Sequence, residues 1–504
     1  MTTLILGTVL ERLGGVSVNG MKLVDQMFAK FDLDLEKAYC RLFQVRTRLG
    51  TILESVSRTV KLPMPAPSLD GIVDELRHAD NDLLLQLFTG DVDDVEYLHW
   101  DKLRYKTPPP GLSHEQWWFQ LKTRRRQQGR RTPLTDKSGA SFTYVLSDRL
   151  LAASERITRM ASGEIKLPEM VTTGRARNQY IVHSLIEEAI TSSQLEGAST
   201  SRRVAKEMLR TGRSPSTKGE LMILNNFNAM KHIQDIKDQD LTPELIFELH
   251  RIVTEDTLDD PADAGRLEQP GVQRVAVWSD DDELLHSPPP AETLPERLQN
   301  LCDFANASSD EREYMPPVVR ATILHFMMGY DHYFADGNGR TARALFYWSM
   351  LHQGYWLAEF ITISRILRQA PSQYVRSYLL TEDDDSDLTY FLLYHLDVIL
   401  RALDDLTVYL ERKATELTSV RSFLDLSRKD FNHRQISFLE TVAKDPTAYA
   451  TARSYARTFA TSGETARSDL GALEKRGLLT RSKQGKEFIW RATADLISQL
   501  KLKG

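Results

Sequence analysis

Apolar positions along this chain recur mostly at three- and four-residue spacings, the period of a helix with one buried face. Leu23, Met27 and Phe31 follow one another at four residues, and Leu42, Val45 and Leu49 at three and four. Pro63, Pro65 and Pro67 break that pattern. Residues 1–95 therefore read as a helical region with no evident chemistry. Residues 96–165 change character. Trp100, Trp117, Trp118 and Phe119 stand near Pro108-Pro109-Pro110 and a basic run from Lys122 to Arg131. Ser113-His-Glu-Gln116 is a capping box that opens a helix at Trp117. Aromatics beside basic residues suit nucleic acid, but the favoured reading is a docking segment. Its tryptophans pack on a neighbouring domain and its arginines stay solvated.

From about 166 to 405 the pattern is strongly helical. Thr242-Pro243-Glu244 supplies an N-cap, a proline at the first position and a first-turn acid. Leu245, Leu249, Ile252 and Val253 then share a face. Val275-Ala276-Val277-Trp278 lies between Gly271 and the acidic run Ser279–Glu283, and predicts a β-hairpin. An apolar helix over Val318–Tyr330 leads directly into a polar, glycine-rich stretch.

Residues 406–430 read as a linker helix and 431–504 as a separate unit. Ile436, Leu439 and Val442 mark a first helix, and Tyr455 with Phe459 a second. Ser462 caps a third, in which Ala466, Leu470 and Leu473 form the buried stripe. Gly477 ends it, Leu478 and Leu479 begin a strand, and Glu487–Trp490 is its partner. Three helices followed by a two-stranded wing is a winged helix-turn-helix pattern.

Composition narrows the class. The 504 residues are 41% hydrophobic, with net charge −6, which argues against a protein that coats nucleic acid along its length. Residues 431–504 depart from this, with thirteen Lys and Arg against seven Asp and Glu. Arg453, Arg457, Arg467 and Lys475 are the candidate phosphate contacts there. Cys40 and Cys302 make no disulfide framework. The absence of an apolar run of membrane length and of a basic leader gives a cytoplasmic expectation with no membrane partner.

The chemistry gathers in His332-Tyr-Phe-Ala-Asp336-Gly337-Asn338-Gly339-Arg340-Thr-Ala-Arg343. Gly337, Asn338 and Gly339 tolerate positive φ and can turn their N–H groups into an anion nest. The apolar pattern resuming at Ala344 places that nest on a helix N-terminus, which also favours anions. Arg340 and Arg343 are three residues apart, near one face, and guanidinium forks suit phosphate. Asp336 can hold Mg²⁺, and His332 titrates near neutrality and can act as a base. A plain turn explains Asp-Gly and Asn-Gly but not two arginines in phase. An EF-hand fails at Tyr333, and a His325–His332 metal pair lacks a third ligand.

The stretch resembles the Fic family motif His-x-Phe-x-(Asp/Glu)-Gly-Asn-Gly-Arg-x-x-Arg. It departs at Tyr333, where proline is usual, and altered loop packing is expected there. The resemblance covers roughly residues 170–405. It implies a mainly α, helical Fic fold with a β-hairpin flap, beside the N-terminal helical region and the C-terminal winged helix. The implied activity is transfer of AMP from ATP to a Ser, Thr or Tyr hydroxyl of a protein target or of the chain itself. His332 would be the catalytic base and Asp336 the Mg²⁺ ligand. Gly337, Asn338, Gly339 and Arg340 would bind phosphate oxygens and Arg343 the γ-phosphate. Tyr374 would lie near the adenine.

Ser192-Ser-Gln-Leu-Glu196-Gly197 resembles the family's inhibitory pattern, in which Glu196 would pair with Arg343. Val275, Ala276, Val277 and Trp278 resemble its target-docking flap. Removal of AMP by a water that Glu196 positions is the alternative activity. A DNA-binding regulator with a nucleotide-sensing Fic domain is a third reading. DNA through the winged helix, and a second copy in a homodimer, complete the expected partners.

Overall fold

Local capping signals set the helix boundaries that position the site. The computed structural model describes residues 60–77, 81–90, 93–162, 174–271, 273–278, 282–307, 314–426, 430–444, 448–484, 487–493 and 496. The helical pattern read from Leu23 to Leu49 lies outside them, as does Cys40. The described residues are mainly helical.

Helices α1 (Leu69–Leu76), α2 (Asn81–Thr89), α3 (Trp100–Leu103) and α4 (His114–Gln128) share a small apolar cluster that contains Trp100, Trp118 and Phe119. α4 starts at the expected capping box: the Gln116 N–H donates to Ser113 Oγ, and the Ser113 N–H to Gln116 Oε1. The basic run that follows is not wholly solvated. Lys122 Nζ lies 2.6 Å from Asp384 Oδ1. Arg125 grips Asp94 through Nε at 2.7 Å and Nη2 at 2.5 Å, and donates to the Tyr390 hydroxyl at 2.9 Å. Trp118, Lys122 and Arg125 fall at four- and three-residue steps on one helical face. That face meets residues 384–390, so the two cations are buried between the tryptophan cluster and that segment.

A hairpin of β1 (Arg130–Thr135) and β2 (Ser141–Tyr144) and helix α5 (Asp148–Ala161) lead to the central bundle. The bundle contains α6 (Gly174–Leu195), α7 (Arg202–Thr211), α8 (Lys218–Ile236) and α9 (Pro243–Thr254). It continues through β3 (Val277–Trp278), β4 (Leu284–His286), α10 (Leu294–Asn306), α11 (Pro317–Asp331) and α12 (Asn338–His352). Then come α13 (Ile363–Gln369), α14 (Pro371–Asp383) and α15 (Thr389–Leu426). α11 and α12 are buried around almost their whole circumference, as a helix apolar on all sides must be. They form the middle of a core cluster that runs from Tyr97 to Leu410. The stretch expected as a separate linker helix from 406 continues α15, which runs unbroken for 38 residues.

After α15, α16 (His433–Lys444), β5 (Tyr449–Thr451), α17 (Ala452–Thr458), α18 (Gly463–Lys475), β6 (Leu479–Gln484) and β7 (Glu487–Ala492) surround a second core from Phe431 to Leu496. Ser462 caps α18, and Gly477 turns the chain at φ 74°. The sheet order is β5-β7-β6. Its third strand, β5, is too short to leave a period in the sequence. No described helix is long and apolar enough to cross a membrane.

Candidate active site

The glycine-rich stretch closes α11 and opens α12. His332 is the C-cap of α11 at φ 50°, a left-handed conformation that costs a residue with a Cβ roughly 1–2 kcal/mol. Gly337, at φ 87°, is the N-cap of α12. A Cβ there would lie 2.6 Å from Thr254 Cγ2, so only glycine fits both the angle and the space. Between them the loop is held internally. Asn338 Nδ2 donates to the Phe334 carbonyl at 2.6 Å, and the Phe334 N–H returns to Asn338 Oδ1 at 3.0 Å. Phe334 is fully buried.

A residue that sequence reasoning missed supports this loop. His250, on α9, stacks on Phe334 with ring centroids 3.8 Å apart. Its Nδ1 accepts the Gly265 N–H at 2.8 Å, and its Nε2 faces the Asp336 carbonyl at 2.8 Å. Those two partners call for the neutral ring protonated on Nε2. Burial lowers the His250 pKa to about 4. Only its place on the inner face of α9, beside Leu249 and Val253, could have flagged it.

The His332 ring is partly buried, with the Asn338 amide 3.2 Å from Nδ1. Loss of hydration first, and then His286 and Arg274, lower its pKa to about 3. The ring is therefore neutral, able to accept a proton, throughout the physiological range. Arg274 was also missed. Its Nη2 donates to the carbonyls of Asp331 at 2.6 Å and His332 at 3.0 Å.

The two arginines of the motif part company. Arg343, 2% exposed, donates from Nε to Ser192 Oγ at 2.8 Å and from Nη2 to the Ser192 carbonyl at 3.1 Å. The same Nη2 meets Glu196 Oε1 at 2.8 Å. Arg340, 1% exposed, instead donates to the Val253 carbonyl at 2.6 Å and lies 3.8 Å from Asp336. A three-residue step leaves side chains about 60° apart around a helix. Acceptors on α6 draw one guanidinium away and those on α9 the other, so the expected shared phosphate face is divided. The Glu196 carboxylate also lies directly over Gly339, where a Cβ would collide with it and come within 3.2 Å of Arg343 Nη1. A carboxylate thus sits against the glycine turn itself.

Tyr374 belongs to the arginine end of the site. Its hydroxyl is 2.9 Å from His325 Nε2, and burial raises the phenol pKa, an effect that Arg343 only partly offsets. His325 therefore faces Tyr374, and the His325–His332 pairing does not form. The flap is shorter than its sequence suggested. Val277 pairs with His286 and Trp278 with Leu284, whereas Val275 and Ala276 precede the strand. Val275 and Trp278 are exposed. Residues 279–281, at the flap tip, lie outside the described residues.

Residues 240–350 match the family model described as the Fic/DOC family. They form a Fic domain. A protein adenylyltransferase Fic from Nematostella vectensis is 26% identical over 211 residues, covering 41% of this chain and 45% of that protein. Protein adenylyltransferase fic-1 from Caenorhabditis elegans is 34% identical over 110 residues, covering 22% of this chain and 19% of that one. The chain thus spans less than half the length of these curated relatives. A solved Fic family protein from Desulfovibrio desulfuricans is 16% identical with a TM-score of 0.45, covering 70% of this chain and 98% of that one. The matched span begins at residue 240 and ends inside α12, so Glu196, which lies over Gly339, is N-terminal to it.

Proposed function

We propose that the chain is a protein adenylyltransferase whose transfer of AMP from ATP is restrained by Glu196. The observation that carries this reading is the Glu196–Arg343 pair lying against Gly339, opposite a neutral His332. In the reaction, His332 accepts the proton of a Ser, Thr or Tyr hydroxyl. That oxygen forms a bond to the α-phosphorus, the bond from this phosphorus to the bridging oxygen breaks, and pyrophosphate leaves. Arg343, freed of Glu196, holds the terminal phosphate, and the first turn of α12 offers its unpaired N–H groups. Arg340 is assigned to holding α9 against the loop.

Magnesium fits this site only in company. Among the described residues no three His, Cys, Asp or Glu side chains converge as a metal site. The Asp336 carboxylate is 39% exposed and its Oδ1 accepts the Gly337 N–H at 2.6 Å. One carboxylate suits an ion whose other ligands are phosphate oxygens and water. Asp336 would hold it, and the ion would neutralise phosphate charge.

Glu196→Gly removes a charge-assisted bond inside a buried site. Such a bond is worth on the order of 2 kcal/mol, so self-labelling from α-labelled ATP is expected to rise roughly thirtyfold. His332→Ala in that background should abolish the label. No rise with His332 intact would overturn the restraint. Loss of AMP from a modified target, dependent on Glu196, would instead favour the reverse activity.

A second reading concerns residues 431–504. Three helices, a three-stranded sheet and a capped α18 with Arg467 and Ser468 on its open face resemble a winged helix. DNA is the partner proposed for that face. Band shifts on upstream sequences should weaken steeply with salt, and absence of any sequence preference would remove the reading.

A further inference from the structure

The catalytic loop is tied down by groups that the proposed chemistry does not use. His332 has the left-handed φ described above, and a loop in that conformation needs external support. Asp331, immediately before it, is a fully buried carboxylate. One of its oxygens accepts Arg297 Nε at 2.8 Å, and the other accepts the Tyr333 hydroxyl at 2.6 Å. Arg297, on α10, also donates to the Thr135 carbonyl, and at 3.3 Å each to Thr135 Oγ1 and the Asp136 carbonyl. These last acceptors lie at the turn of the β1–β2 hairpin. The Tyr333 carbonyl in turn accepts the Glu268 N–H at 2.9 Å, and its ring is fully buried.

We propose that Tyr333, acting through Asp331 and Arg297, is a positioning residue for His332, and that it couples the base to the β1–β2 hairpin. A proline at this place would fix φ covalently near −65°. Tyrosine leaves φ free, and here a bond from its own hydroxyl to the residue two positions back supplies the constraint. The carboxylate between phenol and guanidinium has a separate oxygen engaged by each, so a shift of Asp331 loosens both contacts and loss of the phenol leaves one carboxylate oxygen without its bond. Arg274 holds the carbonyls of the same turn from the flap side. The His332 backbone is thereby gripped from two directions, one through its carbonyl and one through its neighbours' side chains.

This inference rests on the AMP-transfer reading for its kinetic arm and on geometry alone for its second arm. In the Glu196→Gly protein, Tyr333→Phe deletes only the hydroxyl. The expected result is a fall in kcat of about tenfold, within the roughly hundredfold that a 1 Å misplacement can cost, with KM for ATP unchanged. Tyr333→Pro should recover most of that loss, which a purely packing role would not allow. In parallel, hydrogen exchange of full-length protein is read by mass spectrometry. Tyr333→Phe should speed exchange in peptides covering 331–335 and 134–138 and leave those from α15 unchanged. Equal kcat for Tyr333→Phe and its parent, or unchanged exchange at both segments, overturns the proposal. So does a Tyr333→Pro protein no faster than Tyr333→Phe. If the Glu196→Gly parent transfers no AMP, the proposed activity fails, and the exchange arm still decides the tether.

Discussion

At the scale of single residues, the site is governed by which groups are denied water. His332 has an ordinary imidazole's chemistry but not its ordinary pKa, because taking its charge out of water costs more than Asp336 returns. A base already neutral at pH 5 gives no acid limb near 6.5. With the Glu196→Gly protein, kcat against pH is expected to stay flat from pH 7.5 down to about 5. An inflection near 6.5 would mean that the His332 ring is hydrated in the working enzyme. Arg343 illustrates the converse. Its guanidinium is kept charged in a buried place by Glu196, and removal of that partner exposes a cation seeking an anion. ATP should therefore bind at least tenfold more tightly to Glu196→Gly than to the parent protein, by calorimetry with His332→Ala present to prevent turnover.

At the scale of elements, α9 decides whether the loop between α11 and α12 keeps its shape. His250 works only as the neutral ring, since Nδ1 must accept the Gly265 N–H. Its folded pKa lies below its unfolded value, so its contribution is complete above about pH 6.5 and is lost as pH falls toward 4. Two to three pKa units correspond to roughly 3 kcal/mol. Thermal stability of the parent should therefore drop between pH 6.5 and 4, and His250→Gln should be less stable at neutral pH but lose less over that interval. Equal acid sensitivity of the two proteins would assign the drop elsewhere. Much of this element's frame was legible in sequence: the Thr242 cap, Pro243 at N1 and the apolar face of α9 all follow local rules. The partnership of His250 with Phe334 was not, because its two members are 84 positions apart and no spacing rule links them. Arg274 and Arg297 were missed for the same reason, and the Val253 carbonyl that Arg340 meets was not legible because helical phase fixes a side chain's direction but not its acceptor. The glycine turn and the Glu196–Arg343 contact were legible because a motif encodes them directly.

At the scale of the whole molecule, the two largest apolar cores among the described residues divide the work. One runs from Tyr97 to Leu410 and encloses the site, and the other lies between Phe431 and Leu496. The N-terminal segment is joined to the first by buried charge rather than by apolar contact alone. Lys122 and Asp384 are 5% and 3% exposed at 2.6 Å, so each is the main compensation for the other's desolvation. A pair of this kind is weak evidence for net stabilisation, but breaking it from one side typically costs 3–5 kcal/mol. Lys122→Met keeps most of the stem's volume and leaves Asp384 buried with the Tyr390 hydroxyl as its remaining short contact, at 2.7 Å. Because the C-terminal core shares no member with the first, calorimetry of the full chain should resolve two transitions. Lys122→Met is expected to lower the one that carries the site by several degrees and leave the other in place. If both transitions moved together, the two cores would unfold as one cooperative unit and α15 would be their mechanical link. If neither moved, Asp384 would have reached water, and the N-terminal segment would be held by Arg125 and the tryptophans instead.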